Sequence, residues 1–273
     1  MRKKRLRSGK TIGAEKLSIM ADALSFQVRE ALACQFGSIR NLTAGDVESA
    51  AATISENAYH ILRANMDFAE YCRILSDTEQ DYSQKIELCH EMQELCQATE
   101  FFAARLGKGF GAKIPKCFLY VDVDPEKFQN TMLNLVLNAF KYSGSGSSIS
   151  IRLSATRKYA KISVKDNGPG MPPEVLHRAF EPFFSWRPDM AHPSSMGLGL
   201  TLARHFAKSA GGSLVLHSEP GKGTEAVLSL PLDKGESGVV TSCASSEELL
   251  ADLFSPVFVV MSDLVPPVKG FGK

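Results

Sequence analysis

The sequence predicts an α+β chain: an N-terminal antiparallel helical hairpin that pairs with a second copy as a dimeric four-helix bundle, then an α/β sandwich whose mixed sheet is covered by helices on one face. Three observations lead there. Apolar residues recur at helical spacing through about the first 75 residues. Residues 148–154 and 159–165 alternate apolar and polar positions around the turn at 155–158, as a β-hairpin does. Between these regions Asn134, Asn138 and Lys141 fall at i, i+4 and i+7, so they share one face of a helix whose other face is Met132, Leu135, Val136 and Ala139.

Taken in order, residues 1–15 form a basic tail and 16–78 the hairpin. Its first helix, over about 14–41, aligns Leu17, Met20, Leu24, Val28, Ala31, Ile39 and Leu42. Thr43-Ala-Gly45-Asp46 makes the turn, and Asp46 is a good N-cap for the second helix. That helix places Ile54, Ala58, Ile61, Asn65, Phe68, Cys72 and Leu75 at alternating steps of four and three, a heptad seam. Two such helices cannot bury their seams alone, which is why a dimer is expected. From 86 to 106 a strand fragment runs into a helix with Met92, Leu95, Thr99 and Phe102 inward; the glycine-rich 107–111 reads as a loop, and a strand is expected near 117–123. The asparagine helix, the hairpin strands, a helix from Gly197 to about Ala210 ended by Gly211-Gly212, and strands at 214–217 and 225–230 complete the unit assigned to 80–232. Residues 187–195 are polar and proline-containing, suited to a lid. Residues 233–273 read as a linker and a C-terminal tail, in which 254–261 is either an added strand or a docking segment.

Composition narrows the class. A length of 273 residues suffices for one substantial core and a smaller module, and a net charge of +1 gives no argument for nucleic acid binding. The six cysteines, at 34, 72, 89, 96, 117 and 243, show no CxxC or metal-type spacing and read as reduced, mostly buried thiols. No run of about 18 apolar residues suggests a membrane span, and Arg2-Lys-Lys-Arg5-Leu-Arg7 is followed by no apolar signal segment. A cytoplasmic location with a solvated basic end is expected.

The polar stripe carries the chemistry. Burying amides without partners costs roughly 1–3 kcal/mol each, so something polar should meet them. An amide oxygen can ligate a hard cation such as Mg2+, and a nearby lysine can neutralise phosphate. Downstream, Asp166 ends a strand and is followed by Gly168-Pro-Gly170, whose glycines let the backbone turn beside a flat ligand. Gly197-Leu198-Gly199-Leu200 opens a helix, and free N–H groups at such a start form an anion site. Gly221-Lys-Gly223-Thr224 precedes a strand with Ala226, Leu228 and Leu230 on alternate positions.

These four elements resemble the N, G1, G2 and final glycine boxes of the histidine kinase/Hsp90/gyrase/MutL ATPase superfamily, and Phe180-Glu-Pro-Phe183-Phe184 resembles the F box of histidine kinases. The resemblance covers about 124–232 and is closest to the dimerisation and ATP-binding core of a sensor histidine kinase. It implies ATP and Mg2+ as cofactors. Asn138 becomes the Mg2+ ligand, Lys141 a phosphate contact and Tyr142 a wall of the adenine pocket. Asp166 would accept the adenine amino group, Gly168 and Gly170 admit the base, Gly197, Leu198, Gly199 and Leu200 form the phosphate side, and Thr224 supports the base side. Asn134 is the catalytic candidate, with a plain cap on the polar stripe as the alternative. Hydrolytic members carry glutamate there, whereas an amide cannot act as a general base, which speaks against a gyrase-like or MutL-like ATPase.

Departures from the pattern bear on activity. Where a histidine kinase has its phosphoacceptor histidine, the best alignment puts Phe26, with Arg29 and Leu32 fitting around it. His60-Ile-Leu-Arg63 repeats the His-x-x-Arg spacing on the second helix and is a weak substitute. Ser194-Ser195-Met196 stands before Gly197 in place of the usual glycines and threonine. Two functions are compatible with this: a kinase using Mg-ATP for phosphoryl transfer to an unconventional acceptor or a partner, or an inactive dimeric pseudokinase whose nucleotide state gates binding of a partner such as a response regulator. The heptad seam predicts a dimer in sedimentation at micromolar concentration; a monomer would contradict it.

Overall fold

The computed structural model describes residues 24–264 except 26–27, 30, 38, 40–46, 81, 145, 187–195, 234–239, 243–244, 253 and 263. The basic tail, Phe26, the turn at 43–46, the lid segment with Ser194 and Ser195, and Cys243 therefore lie outside the described residues. Residues 31–37 are helical. After them come α1 (Val47–Ser76), β1 (Gln84–Glu87), α2 (Leu88–Arg105), β2 (Gly109–Lys113), β3 (Tyr120–Val123), α3 (Pro125–Tyr142), β4 (Ser148–Ala155), β5 (Tyr159–Asp166), α4 (Pro173–Arg178), α5 (Gly199–Ser209), β6 (Ser213–Glu219), β7 (Gly223–Pro231), β8 (Val240–Thr241), α6 (Ser246–Ala251) and α7 (Pro256–Met261).

Binary patterning builds the main sheet. In the order β2-β4-β5-β7-β6, the pair β2–β4 is parallel and the others antiparallel, so the sheet is mixed as expected. Ile149, Ile151 and Leu153 on β4, Ala160, Ile162 and Val164 on β5, and Ala226, Leu228 and Leu230 on β7 are buried against α2, α3 and α5, while Ser150, Arg152, Lys161 and Lys165 face water. Helices on one face and solvent on the other is the usual solution for a sheet with such alternation. Register then matters for function. Asp166 falls on the inward side, two residues beyond Val164 and opposite Ile149, so the same period that buries the valine buries a carboxylate at the sheet's end.

Two expectations need correction. The glycine-rich stretch read as a loop is in part β2: the Gly109 N–H donates to the Ser147 carbonyl at 2.9 Å and residues 109–113 pair with 148–152. A parallel edge strand is held by its backbone, and exposed glycines give it no alternation to read. The strand expected from 117 begins only at Tyr120, and it joins β1 and β8 in a second sheet ordered β3-β1-β8.

The C-terminal segment folds onto the body as helix. Ser255 caps α7 and Pro256 opens it, and Val257, Phe258, Val259 and Met261 are buried, with Phe258 edge-on to Phe102 at 5.6 Å. Before it, Ser245 and Glu248 form a capping box at α6, and the Ser246 N–H donates to the Glu94 carboxylate of α2 at 2.6 Å. Helix α7 touches both α1 and α3 and so braces the long helix against the sandwich.

Helix α1 buries a different side from its seam. Asn57, Tyr59, Arg63 and Ala64 are buried, whereas the seam residues Ile54, Ile61, Phe68, Cys72 and Leu75 remain half-buried and Ala58 and Asn65 exposed. A clasp of charges lies just past its end: Lys127 of α3 reaches Glu79 at 2.7 Å and Glu70 at 3.5 Å, and Glu79 also meets His205 of α5 at 2.6 Å. Burial would raise the Glu79 carboxyl, but its hydrogen bonds to Lys127 and His205 outweigh that and hold it below the usual carboxylate range. Among the described residues, no helix is long and apolar enough to cross a membrane.

Candidate functional site

The site is organised by α3. Asp124 caps its start, accepting the Lys127 N–H at 3.1 Å, and Pro125 sits at the first turn where its missing donor costs nothing. At the other end Lys108 does what no local residue could. Its ammonium donates to the Phe140 and Ser143 carbonyls, both at 2.6 Å, and to Ser143 Oγ at 3.0 Å. A cation thus satisfies carbonyls at the helix C-terminus and opposes the negative end of the dipole.

Beneath this end lies a cavity lined by Leu135, Asn138, Tyr142, Asp166, Gly170, Thr224 and a largely apolar remainder that includes Met171, Phe184 and Trp186. Such a slot, apolar with a few convergent polar groups, suits a flat heteroaromatic ligand. Asp166 is its polar anchor. One carboxylate oxygen, Oδ1, accepts the Gly168 N–H at 2.8 Å and the Thr224 N–H at 3.3 Å. Burial pushes the carboxyl above its ordinary value, and the Gly168 and Thr224 amides and the Lys108 ammonium restrain that rise. Burial likewise draws the Lys108 ammonium down, opposed by Asp166.

Close backbone approach explains the glycines here. Gly170 has φ +66°, and a side chain on it would collide with the Glu219 carbonyl; Gly223, at φ +89°, lies equally tight against the Asp166 carbonyl. A Cβ on Gly168 would fall 2.8 Å from Asp166 Oδ1 and 2.9 Å from the Tyr142 carbonyl oxygen. The cradle therefore exists only because these positions lack side chains. Thr224 is steadied by Ser218, whose hydroxyl lies 2.8 Å from Thr224 Oγ1 and also accepts the Met171 N–H at 2.8 Å.

Of the other predicted residues only some reach this cavity. Leu200 lines it, while Leu198 is fully buried in a second apolar cluster with Ala64 and Met196. Lys141 is half-buried, its ammonium 5.9 Å from the centre of the Tyr142 ring. Gly197, at φ +68°, accepts from the Phe183 N–H at 3.1 Å. Phe183 is itself left-handed at φ 62° and packs edge-on to Tyr71 of α1. Gly199 starts α5 with no side-chain cap on its first turn, and it touches Asn134, whose Oδ1 would be 3.0 Å from an added Cβ. Asn134 lies outside the cavity, in a wider groove of about 590 Å3 between α1 and the sandwich, and accepts a hydrogen bond from Arg63 Nη2 at 3.2 Å. His60 is on α1, one turn before Arg63 and Ala64, with its Nε2 enclosed.

Sequence reasoning missed Lys108, Ser218, Trp186 and Arg63. Among these only Trp186, the single tryptophan, carries a signal of its own. Among the described residues, no three His, Cys, Asp or Glu side chains gather as a metal cluster, and the side-chain oxygens lining the cavity are those of Asn138, Tyr142, Asp166 and Thr224.

An anchored carboxylate under a polar-striped helix, with glycine-built approaches on both sides, frames this cavity of the α/β sandwich. Residues 123–234 match the family "Histidine kinase-, DNA gyrase B-, and HSP90-like ATPase", and the chain's core is that of a histidine kinase-like ATPase. The chain is 26% identical over 233 residues to the sensor histidine kinase TmoS of Ectopseudomonas mendocina, covering 82% of itself and 24% of TmoS. Two solved structures share its fold: histidine kinase ThkA in complex with the response regulator protein TrrA (TM-score 0.62, 19% identity, 82% of this chain and 65% of that one) and full-length ShkA in complex with AMPPNP (0.59, 18%, 88% and 49%). The chain spans about a quarter of the length of TmoS.

The linkage between Lys108 and Asp166 has a measurable consequence. In Lys108→Met the lysine's share of the restraint on the buried carboxylate is gone while the Gly168 and Thr224 amides remain, so the Asp166 carboxyl should titrate at higher pH than in the wild type, followed by carboxyl 13C NMR. An unmoved titration would show that Lys108 acts on the helix end alone.

Proposed function

We propose that this chain is an ATP-binding signalling protein of the histidine kinase type, whose cavity takes Mg-ATP for phosphoryl transfer. The observation that carries it is the convergence of Asn138, Tyr142, Asp166, Gly170, Leu200 and Thr224 on one cavity beside the uncapped start of α5. The residues fit the nucleotide. A buried acceptor, Asp166, suits an exocyclic amino group, and the glycine approaches leave room for a planar base. Toward α5, the Asn138 amide oxygen would hold Mg2+, which when bound neutralises charge on the phosphates. Lys141 and the amides of Gly197, Leu198 and Gly199 would bind and orient the phosphate chain. Asn134 would position that end without acting as a base. The ShkA complex with AMPPNP, on the same fold, supports the reading.

In this proposal residues 16–78 serve dimerisation and 80–232 bind nucleotide, the homodimer forming through the half-buried seam of α1. A response regulator is the partner, as the ThkA–TrrA complex suggests, and the setting is cytoplasmic. His60, one turn before Arg63 on α1, is the candidate acceptor. Phe26 at the usual acceptor position favours a second reading, a pseudokinase that uses nucleotide to gate partner binding.

Incubation with Mg2+ and γ-labelled ATP separates the two. Acid-labile label lost in His60→Ala is expected of the kinase, acid-stable label would point to serine or threonine chemistry, and ATP binding without label supports the gated regulator. Asn138→Ala should weaken Mg-ATP binding at least about tenfold, or about 1.4 kcal/mol. Unchanged affinity would contradict the pocket assignment.

A further inference from the structure

We infer that Arg63, on the second helix of the hairpin, reads the terminal phosphate of the bound nucleotide and so makes the hairpin part of the nucleotide site. The inference rests on the ATP-pocket reading and adds to it a residue from outside the matched 123–234 segment.

Helix α3 serves as a ruler along the site. Tyr142 and Asn138 line the base cavity, and Asn134 stands one turn, about 6 Å, farther along the axis. At that turn Asn134 faces Gly199, where an added Cβ would fall 3.0 Å from its Oδ1, at the uncapped start of α5 where the phosphate side is proposed. Arg63 donates to the Asn134 amide oxygen at 3.2 Å and lines the groove there, while it does not border the base cavity. Base cavity, Mg2+ ligand and phosphate-side amide thus follow one another along α3, and the guanidinium is hydrogen-bonded to the last of them.

The guanidinium is held there. Arg63 is 5% exposed, and Asp67, one turn on, approaches its Nε at 3.9 Å. Its neighbour Ala64 packs with Met196 and Leu198, the residues on either side of Gly197, so the turn of α1 that carries Arg63 is docked on the flanks of the phosphate loop. A buried, oriented fork of N–H donors suits phosphate better than an ammonium does. ATP differs from ADP at the end of its phosphate chain, and Arg63 is a cation that the helical module places at Asn134.

The test compares ADP with the non-hydrolysable analogue AMPPNP, each with Mg2+, by calorimetric titration of the wild type, Arg63→Met and Arg63→Lys. The wild type should prefer AMPPNP. Arg63→Met should lose about tenfold in AMPPNP affinity while ADP affinity stays within about twofold, the retained ADP binding also showing that the variant is folded. Arg63→Lys should keep only part of the preference. Equal losses for both nucleotides would reduce Arg63 to a structural tie through Asn134, and unchanged affinity for both would remove it from the site. Absence of any nucleotide binding to the wild type would instead overturn the pocket itself, and this inference with it.

Discussion

One buried carboxylate organises the molecule's working end. Asp166 is on the inward face of β5 because strand register puts it there, and a charge in that position must be compensated. The compensation comes from three directions: the Gly168 and Thr224 amides directly, and Lys108 through its field. Each requirement constrains another element. The Gly168 amide is available because the chain turns sharply against the end of α3, and Thr224 is within reach because Gly223 lets β7 close on the Asp166 carbonyl. Lys108, meanwhile, ties β2's approach to the last carbonyls of α3. The cavity is what remains between these obligations, polar at Asp166 and apolar nearly everywhere else.

The second constraint is the seating of α1 on the sandwich. Ala64, Phe68 and Tyr71 meet Met196, Leu198, Phe183 and Leu202, so the long helix rests on the segments that flank the phosphate side. The charged clasp at Glu79 and the brace of α7 hold the same pair of modules from other angles. Any movement of α1 relative to α5 has to break contacts within this set, so in the proposed function this set would join nucleotide and hairpin.

Much of this was legible in the sequence, for identifiable reasons. Asn138, Asp166 and the glycines could be found because each violates a local expectation: an amide in an apolar helix, a carboxylate at the end of a buried strand, glycines where nothing else fits. The β4–β5 alternation comes from period alone, whereas the heptad seam read on α1 is not the side that helix buries most deeply. Lys108, Ser218 and Arg63 were not legible, because a lysine in a glycine-rich stretch, a serine on a strand and an arginine on a helix acquire their roles only through partners 35, 6 and 71 residues away. The C-terminal helices were missed: residues 254–261 read as a strand or a docking segment, because a six-residue apolar run such as that of α7 fits strand as well as helix until Ser255 and Pro256 are seen to cap it.

In the proposed function one end of the cavity takes the base and the start of α5 the phosphates, and every assigned role depends on that division. The most direct measurement is an NMR titration of 15N-labelled protein with ATP in the presence of Mg2+. Saturable shifts at the amides of Gly168, Gly170 and Thr224 together with Gly197, Leu198 and Gly199, the first set reproduced by adenosine alone, are the predicted result. Shifts confined elsewhere, or none that saturate, would contradict it.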